Sequence, residues 1–189
     1  MNSAVLSRDE SVSFLKEHVK NENMLKHCLA SEAVMRALAA YFGENLEIWG
    51  LAGLLHDLDV EITNADLSVH GVKAYDMLLE KGYPQELADA VKLHNEQAHG
   101  IKRVSRFHKA LAAAETVTGL ITATALVYPD KKLSSVKVKS ITKRMKEKSF
   151  AASVDRDIIR ECEDIGIPLE QFAEMALKAM QGISSQLGL

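Results

Sequence analysis

The chain has 189 residues, the usual length of one domain, and its 47% hydrophobic content is enough for a single buried core. Its formal net charge of −3 argues against a general nucleic-acid binder and against a membrane-surface protein, because both are usually strongly basic. The only cysteines are Cys28 and Cys162, so there is no disulfide framework or thiolate zinc site, and a reducing cytoplasm is predicted.

The first residues do not have the pattern of a signal peptide, because charged residues 8–10 interrupt them, and no run is long enough to span a membrane. The first clear helix is predicted from an N-cap at Asn21, through apolar residues at three-and-four spacing, to Gly43. His27 lies at the edge of that apolar stripe. A second helix over about 44–57 is apolar almost all round and is therefore expected to be deeply buried.

The remaining elements in chain order are also helical. Loops are predicted over about 59–67 and 96–105, and Pro129 is expected to stop a long apolar helix. No segment shows the alternating pattern of a strand, so the predicted fold class is all-α with about eight helices. The further helices are predicted over about 68–81, 84–95, 106–127, 136–148, 155–165 and 168–187.

The most informative motif is GLLHDLD, residues 53–59, which places His56 and Asp57 side by side at the end of an apolar helix. Burial of both groups without partners would be costly. A divalent cation removes that cost, since neutral imidazole and ionised carboxylate are both good ligands and a carboxylate can bridge two ions. The motif therefore predicts a metal site that other buried histidines complete.

The order of His27, the His56-Asp57 pair and an acidic residue on a long apolar helix resembles the HD superfamily of metal-dependent phosphohydrolases. The segments VHGVKAYDML, with His70, and AVKLHN, with His94, resemble the two additional histidines of its HDIG-type subset. Small single-domain predicted HD hydrolases have an Asp-Pro-Leu-Thr-Gly sequence where this chain has residues 115–119. The resemblance implies one HD-type domain over 1–189, with a core at about 21–128 and a C-terminal helical extension at about 131–189.

The resemblance also implies a two-metal centre, with Asp57 as the bridging residue and Glu115 in place of the family Asp. It does not distinguish among Fe, Mn, Ni, Zn, Co and Mg. The implied reaction is hydrolysis of a phosphoester or phosphoanhydride by metal-activated hydroxide, in a small phosphorylated metabolite, with a nucleotide as the favoured class. The implied ligands are His27, His56, Asp57 and Glu115 for one ion, and Asp57, His70 and His94 for the other.

Asp59 has several interpretations: it could orient a ligand histidine, serve as the general acid, cap a helix end or face solvent. We include it with Asp57 among the candidate catalytic residues. His99, five residues after His94, could compete as a ligand, although it has no counterpart in the family pattern. His18 and His108 are expected at the surface. Any one histidine on an apolar helix, taken singly, is more often a hydrogen-bonded core residue than a ligand.

A basic segment follows the long apolar helix. Residues 131–148 contain eight Lys or Arg against the single acid Glu147, so this segment carries +7 and the rest of the chain carries −10. Such a segment could attract a phosphorylated substrate, and we select Lys137, Lys139 and Arg144 as candidate phosphate contacts. The alternative is a solvated helix face.

Two other functions compete with the hydrolase. A catalytically silent sensor or scaffold domain with a degenerate metal site is favoured by Glu115. A nucleic-acid-binding helical protein depends only on the basic segment, and the mild net charge argues against it. The predicted partner is a small phosphorylated substrate, with no membrane. The sequence does not fix the oligomeric state, and it leaves a homodimer open.

Overall fold

The structure is a computed structural model that describes residues 7–189. This range contains ten α-helices, two 3₁₀ turns at Glu96–Ala98 and Leu133–Ser135, and no β-strand, which confirms the all-α class. Two predictions, the domain range of 1–189 and the absence of a signal peptide, also concern residues 1–6, which lie outside the described range. The helices are α1 (Arg8–His18), α2 (Glu22–Phe42), α3 (Leu46–Leu55), α4 (Val72–Lys81), α5 (Gln85–Leu93), α6 (Arg106–Leu126), α7 (Val138–Arg144), α8 (Arg156–Asp164), α9 (Leu169–Gly182) and α10 (Ser184–Leu187).

The helix count differs from the prediction at both ends of the chain. Helix α1 was not predicted, although it begins with a capping box in which the Ser7 hydroxyl accepts from the Glu10 amide and the Glu10 carboxylate accepts from the Ser7 amide. The single helix predicted over 168–187 is two helices that are separated at Ile183. The other differences are shifts of helix ends, the largest at α4 and α7, which are both shorter than predicted.

Helices α2 and α3 form the closest packed pair. A Cβ built on Gly53 of α3 would lie only 2.6 Å from the carbonyl oxygen of Ser31 on α2. A glycine at this crossing therefore lets the two backbones approach closely. Helix α2 carries His27, and α3 ends one residue before His56, so this contact brings the two imidazoles together.

Helix α6 packs against α2, α3, α5, α8 and α9 and contributes a largely alanine and leucine surface to the core. The loop before α6 is fixed by Arg103, whose guanidinium binds the Glu161 carboxylate at 2.6 Å and donates to the carbonyls of Leu93 and His94. The buried apolar residues from Phe14 to Leu187 form one cluster. The division into a core and a C-terminal extension stays a prediction.

No helix within residues 7–189 has both the length and the apolar character that crossing a membrane would require.

Candidate metal centre

Asp57 lies at the centre of the candidate site, with one carboxylate oxygen toward each of two histidine pairs. Its Oδ2 atom is 3.3 Å from Nε2 of His56 and 3.6 Å from Nε2 of His27. Its Oδ1 atom is 3.0 Å from Nε2 of His70 and 3.8 Å from Nε2 of His94. Two groups that could each hold a metal ion therefore share the Asp57 carboxylate.

Helix ends and turns position these side chains. His27 lies on α2, His56 caps the C-terminus of α3, and His94 caps the C-terminus of α5. His70 lies in the turn before α4, next to Gly71, whose φ of 87° is in the left-handed region that favours glycine. The site therefore depends on how four segments of the chain pack, and not on one local motif.

Each of the four imidazoles has its Nδ1 atom hydrogen-bonded to an oxygen outside the centre. The Nδ1 atoms of His56 and His94 lie 2.9 and 2.5 Å from the carbonyls of Gly53 and Val91, and must donate because a carbonyl only accepts. His70 Nδ1 lies 2.6 Å from Asp59 Oδ1 and donates to that carboxylate.

His27 is held in the same way by Thr118. The Thr118 hydroxyl lies 2.7 Å from the Glu115 carbonyl, so its single hydrogen is used there, and it accepts from His27 Nδ1 at 3.0 Å. We assign these tautomers from the hydrogen-bond partners. When the four histidines are neutral, these tautomers leave a free lone pair on every Nε2 atom, and each of these atoms faces Asp57.

These lone pairs face one another at short range. The Nε2 atoms of His27 and His56 are 3.1 Å apart, and those of His70 and His94 are 3.0 Å apart. With both histidines of a pair neutral, two bare lone pairs at this distance would repel, so each pair needs either a proton on one Nε2 atom or a cation between the two. Ligands bound at about 2.1 Å to one ion lie roughly 3.0–3.4 Å apart, so the donor set fits divalent metal.

Asp59 is fully buried and lies behind His70, away from the open side of the site. Its Oδ2 atom accepts from the backbone amides of Gly71 and Ala74 at 2.9 Å each, and its Oδ1 atom faces His70. Of the interpretations of Asp59, this geometry matches orientation of a ligand histidine together with capping of a helix N-terminus. The alternative in which Asp59 faces solvent is wrong, because the side chain is fully buried. Its buried position also gives no support to a role as the general acid.

Glu115 lies beside the centre but belongs to neither group of candidate ligands. Its Oε2 atom is 3.8 Å from His27 Nε2, and its Oε1 atom accepts from the hydroxyl of Thr116. The side chain is near enough to face a cation held by His27. Its role as a ligand stays a prediction.

Each half of the site contains one histidine whose pKa is lowered, His27 or His94, and one whose pKa is raised, His56 or His70. Burial, and then the neighbouring imidazole of His56, lower the pKa of His27 to about 4, and burial likewise lowers the pKa of His94 to about 3. Burial also lowers the pKa of His70, but its hydrogen bonds to Asp57 and Asp59 outweigh this and raise the pKa to about 10. At neutral pH His27 and His94 are therefore ready to bind metal, whereas His70 carries a proton.

Metal binding should therefore release at least one proton. A protonated imidazole cannot bind a cation, so raising the pH toward the pKa of His70 favours metal binding. We expect the affinity for Mn²⁺ to rise about tenfold per pH unit between pH 6 and 8. Calorimetric titration in buffers of different ionisation enthalpy would count the protons, and a pH-independent affinity would contradict the assignment of His70.

An open cleft of about 420 Å³ leads to this centre. Its walls include Asp57, Glu115 and Asp155, together with the polar side chains of Thr116 and Ser153. Among the described residues that line it there is no lysine or arginine. A phosphate in the cleft would therefore depend on the histidine and metal centre, and not on a lysine or arginine, for positive charge.

The basic segment does not line this cleft, which corrects the prediction for Lys137, Lys139 and Arg144. Helix α7 packs against α6 and α9, and Lys137 and Lys139 are exposed there. Arg144 binds the Glu147 carboxylate at 3.0 Å and lies over the ring of Phe150, 3.7 Å from its centroid. The solvated helix face is therefore the better interpretation of these residues.

The other histidines lie outside the centre. His99 forms local contacts, with its Nε2 atom 3.2 Å from the Lys92 carbonyl, and it belongs to neither candidate group. His18 and His108 are half-buried, so their expected surface position is only partly correct.

Two residues that support the site, Thr118 and Asn95, were not predicted from the sequence. Thr118 orients His27, and the Asn95 amide donates to the carbonyls of Leu67 and His70. The position of Thr118 three residues after Glu115 on α6 was the available signal, because residues at this spacing share a helix face.

The fold and the site define a helical protein with a buried histidine and aspartate cluster that could hold divalent metal. The family model described as "HD domain" matches residues 24–126, and the chain belongs to this family. HD domains bind divalent metals, and the family consists mostly of metal-dependent hydrolases.

Among curated proteins, the chain is similar to Ribonuclease Y of Protochlamydia amoebophila (strain UWE25), with 29% identity over 76 residues. The match covers 40% of this chain and 15% of the relative's length. No solved structure gives a significant match.

Proposed function

We propose that this chain is a metal-dependent phosphohydrolase that cleaves a phosphoester or phosphoanhydride in a small phosphorylated metabolite, with a nucleotide as the favoured class. The observation that carries the proposal is the pair of donor groups that share Asp57 beside an open cleft. Membership of the HD domain family supports it, and so does the similarity to a protein named as a ribonuclease, an enzyme class that cleaves phosphoesters.

The proposed mechanism assigns His27, His56 and Asp57 to one ion, with Glu115 beside them, and Asp57, His70 and His94 to another. Divalent ions bound there would supply Lewis-acid activation of water and stabilise the charge on the phosphoryl oxygens. Thr118 and Asp59 keep the lone pairs of His27 and His70 directed inward. The nucleophile is hydroxide derived from water, and no protein side chain attacks.

A cytoplasmic location is part of the proposal. Cys28 and Cys162 are both buried and unpaired, as expected in a reducing compartment.

The test combines metal analysis with a phosphate-release screen. The purified chain is incubated with each of Mn, Fe, Ni, Zn, Co and Mg, and is then assayed against a panel of nucleotides and other phosphate esters. We expect bound metal and metal-dependent release, both lost in His56→Ala and retained in His18→Gln, whose site lies on α1. A chain that binds none of these ions would refute the proposal.

Glu115 distinguishes an active enzyme from a silent sensor or scaffold. Asp at this position would shorten the side chain by one methylene and keep its charge. If the natural site is competent, as proposed, Glu115→Asp should change turnover by less than about fivefold, well under 1.4 kcal/mol of barrier. A gain above tenfold in the same phosphate-release assay would instead favour the silent domain.

A further inference from the structure

A second hollow adjoins the candidate metal centre. This groove has a volume of about 490 Å³ and lies between α2, α6 and the C-terminal residues of the described chain. His27 and Gly119 line both the groove and the metal cleft. A molecule whose phosphoryl group lies in the cleft could therefore extend directly into the groove.

The walls of the groove are mainly apolar. Ala123, Leu126 and Leu187 face it, and Leu126 is 49% exposed although its side chain is hydrophobic. Volumes of 300–1,000 Å³ with such walls are typical of sites that bind small organic ligands. A strongly hydrated sugar would gain little from contact with these apolar surfaces, because it would have to lose bound water. The walls therefore favour an apolar or aromatic group.

One cation, Lys26, lies in this apolar groove. Within residues 7–189 it forms no ion pair with a carboxylate. Its Nζ atom is close to Gly188, where a built Cβ would lie 3.3 Å from it. Gly188 also borders the next hollow, which contains Lys131, Lys132 and Asp130. A lysine is thus available in the groove, whereas the walls of the cleft contain no lysine or arginine.

We propose that this groove binds the organic part of the substrate and that Lys26 recognises a second anionic group on it. The inference rests on the proposed function, because the cleft must hold the scissile phosphoryl group. The substrate class is then a phosphate ester or anhydride whose leaving group has an apolar body and a separate negative charge. A nucleoside that carries phosphates at two positions has this chemistry, and a simple sugar phosphate does not.

The test uses 1-anilinonaphthalene-8-sulfonate, a probe with one apolar aromatic body and one anionic group. The full chain is stripped of metal with EDTA, so the measurement does not depend on catalysis. We expect one site per chain by fluorescence titration, with affinity about tenfold weaker in Lys26→Ala and lost in Ala123→Trp, which fills the groove. Lys139→Ala is the matched control, since it removes an exposed lysine of α7, and its affinity should stay within twofold.

A second measurement follows hydrolysis of adenosine 3′,5′-bisphosphate and AMP. If the groove acts as proposed, Lys26→Ala raises KM for the bisphosphate at least fivefold and leaves KM for AMP unchanged. Unchanged probe affinity in Lys26→Ala would overturn the proposal. The proposal would also be overturned if the unaltered chain were a dimer and Ala123→Trp dissociated it, because the groove would then be a contact between copies. If the probe binds in the expected pattern but no phosphate is released, the hydrolase function is refuted, whereas ligand binding by the groove is retained.

Discussion

Replacing Asp57 with Asn should remove metal from both halves of the centre at once. Asp57 is the only residue shared by the two donor groups, and each of its oxygens faces two Nε2 atoms. The amide keeps the size of the side chain but removes the negative charge that offsets two cations. Because loss of a supporting residue alone costs 10–100-fold in metal affinity, loss of the shared ligand should cost more than about 100-fold.

The measurements are metal content after dialysis and phosphate release with added Mn²⁺. We expect bound metal below about a tenth of that in the unaltered chain, and activity at least about 1,000-fold lower, or roughly 4 kcal/mol of barrier. Asp66→Asn is the matched control, because Asp66 lies in the same connecting segment and its exposed side chain accepts from the amide and hydroxyl of Ser68. Metal retained in Asp57→Asn would show that Asp57 does not bridge.

Gly53→Ala should both destabilise the fold and weaken the metal site. The added Cβ would lie 2.6 Å from the Ser31 carbonyl oxygen and 2.9 Å from the Glu32 amide nitrogen, and both are backbone atoms that cannot rotate away. Overpacking of this kind costs about 1–3 kcal/mol, and here α2 and α3 must move apart. We expect a loss of about 2–3 kcal/mol, or roughly 4–12 °C in Tm.

The matched control is Gly182→Ala on α9, where a built Cβ meets nothing within 4 Å. That substitution should be neutral or stabilise the helix by up to about 1 kcal/mol. Denaturant unfolding measures both variants, and metal analysis of Gly53→Ala should show weaker binding because His27 and His56 separate. Equal stability of the two variants would mean that the α2 and α3 backbones are not held at this distance.

Much of the helical framework could be predicted because its boundaries are local. Asn21 caps α2 through its side chain, and Gly43 ends that helix with a φ of 71°, as the sequence pattern indicated. Helix α1 was missed, and its capping box at Ser7 and Glu10 was the signal to use. The residue order of the HD family also correctly indicated which histidines would converge with Asp57.

The features of the site that could not be predicted depend on how the helices pack. Net charge and residue spacing do not determine that packing. The basic segment has a high net charge, but the packing of α7 on α6 and α9 directs it away from the cleft. The four interpretations of Asp59 differ in its burial and in its hydrogen-bond partners, and only the folded chain shows that both of its oxygens are occupied. Thr118 shares a helix face with Glu115, but its contact with His27 joins positions 91 apart, so only the folded chain shows that contact.

The separation of Thr118 and His27 along the chain has a consequence for when a metal ion could bind. The hydroxyl that fixes His27 arrives only when α6 has docked on α2, so cation affinity should develop late in folding. An ion that binds the native chain and not the unfolded one stabilises it by about 2.7 kcal/mol at 100 times its Kd. Metal supply during synthesis would then set how much of this chain survives proteolysis, independently of any substrate.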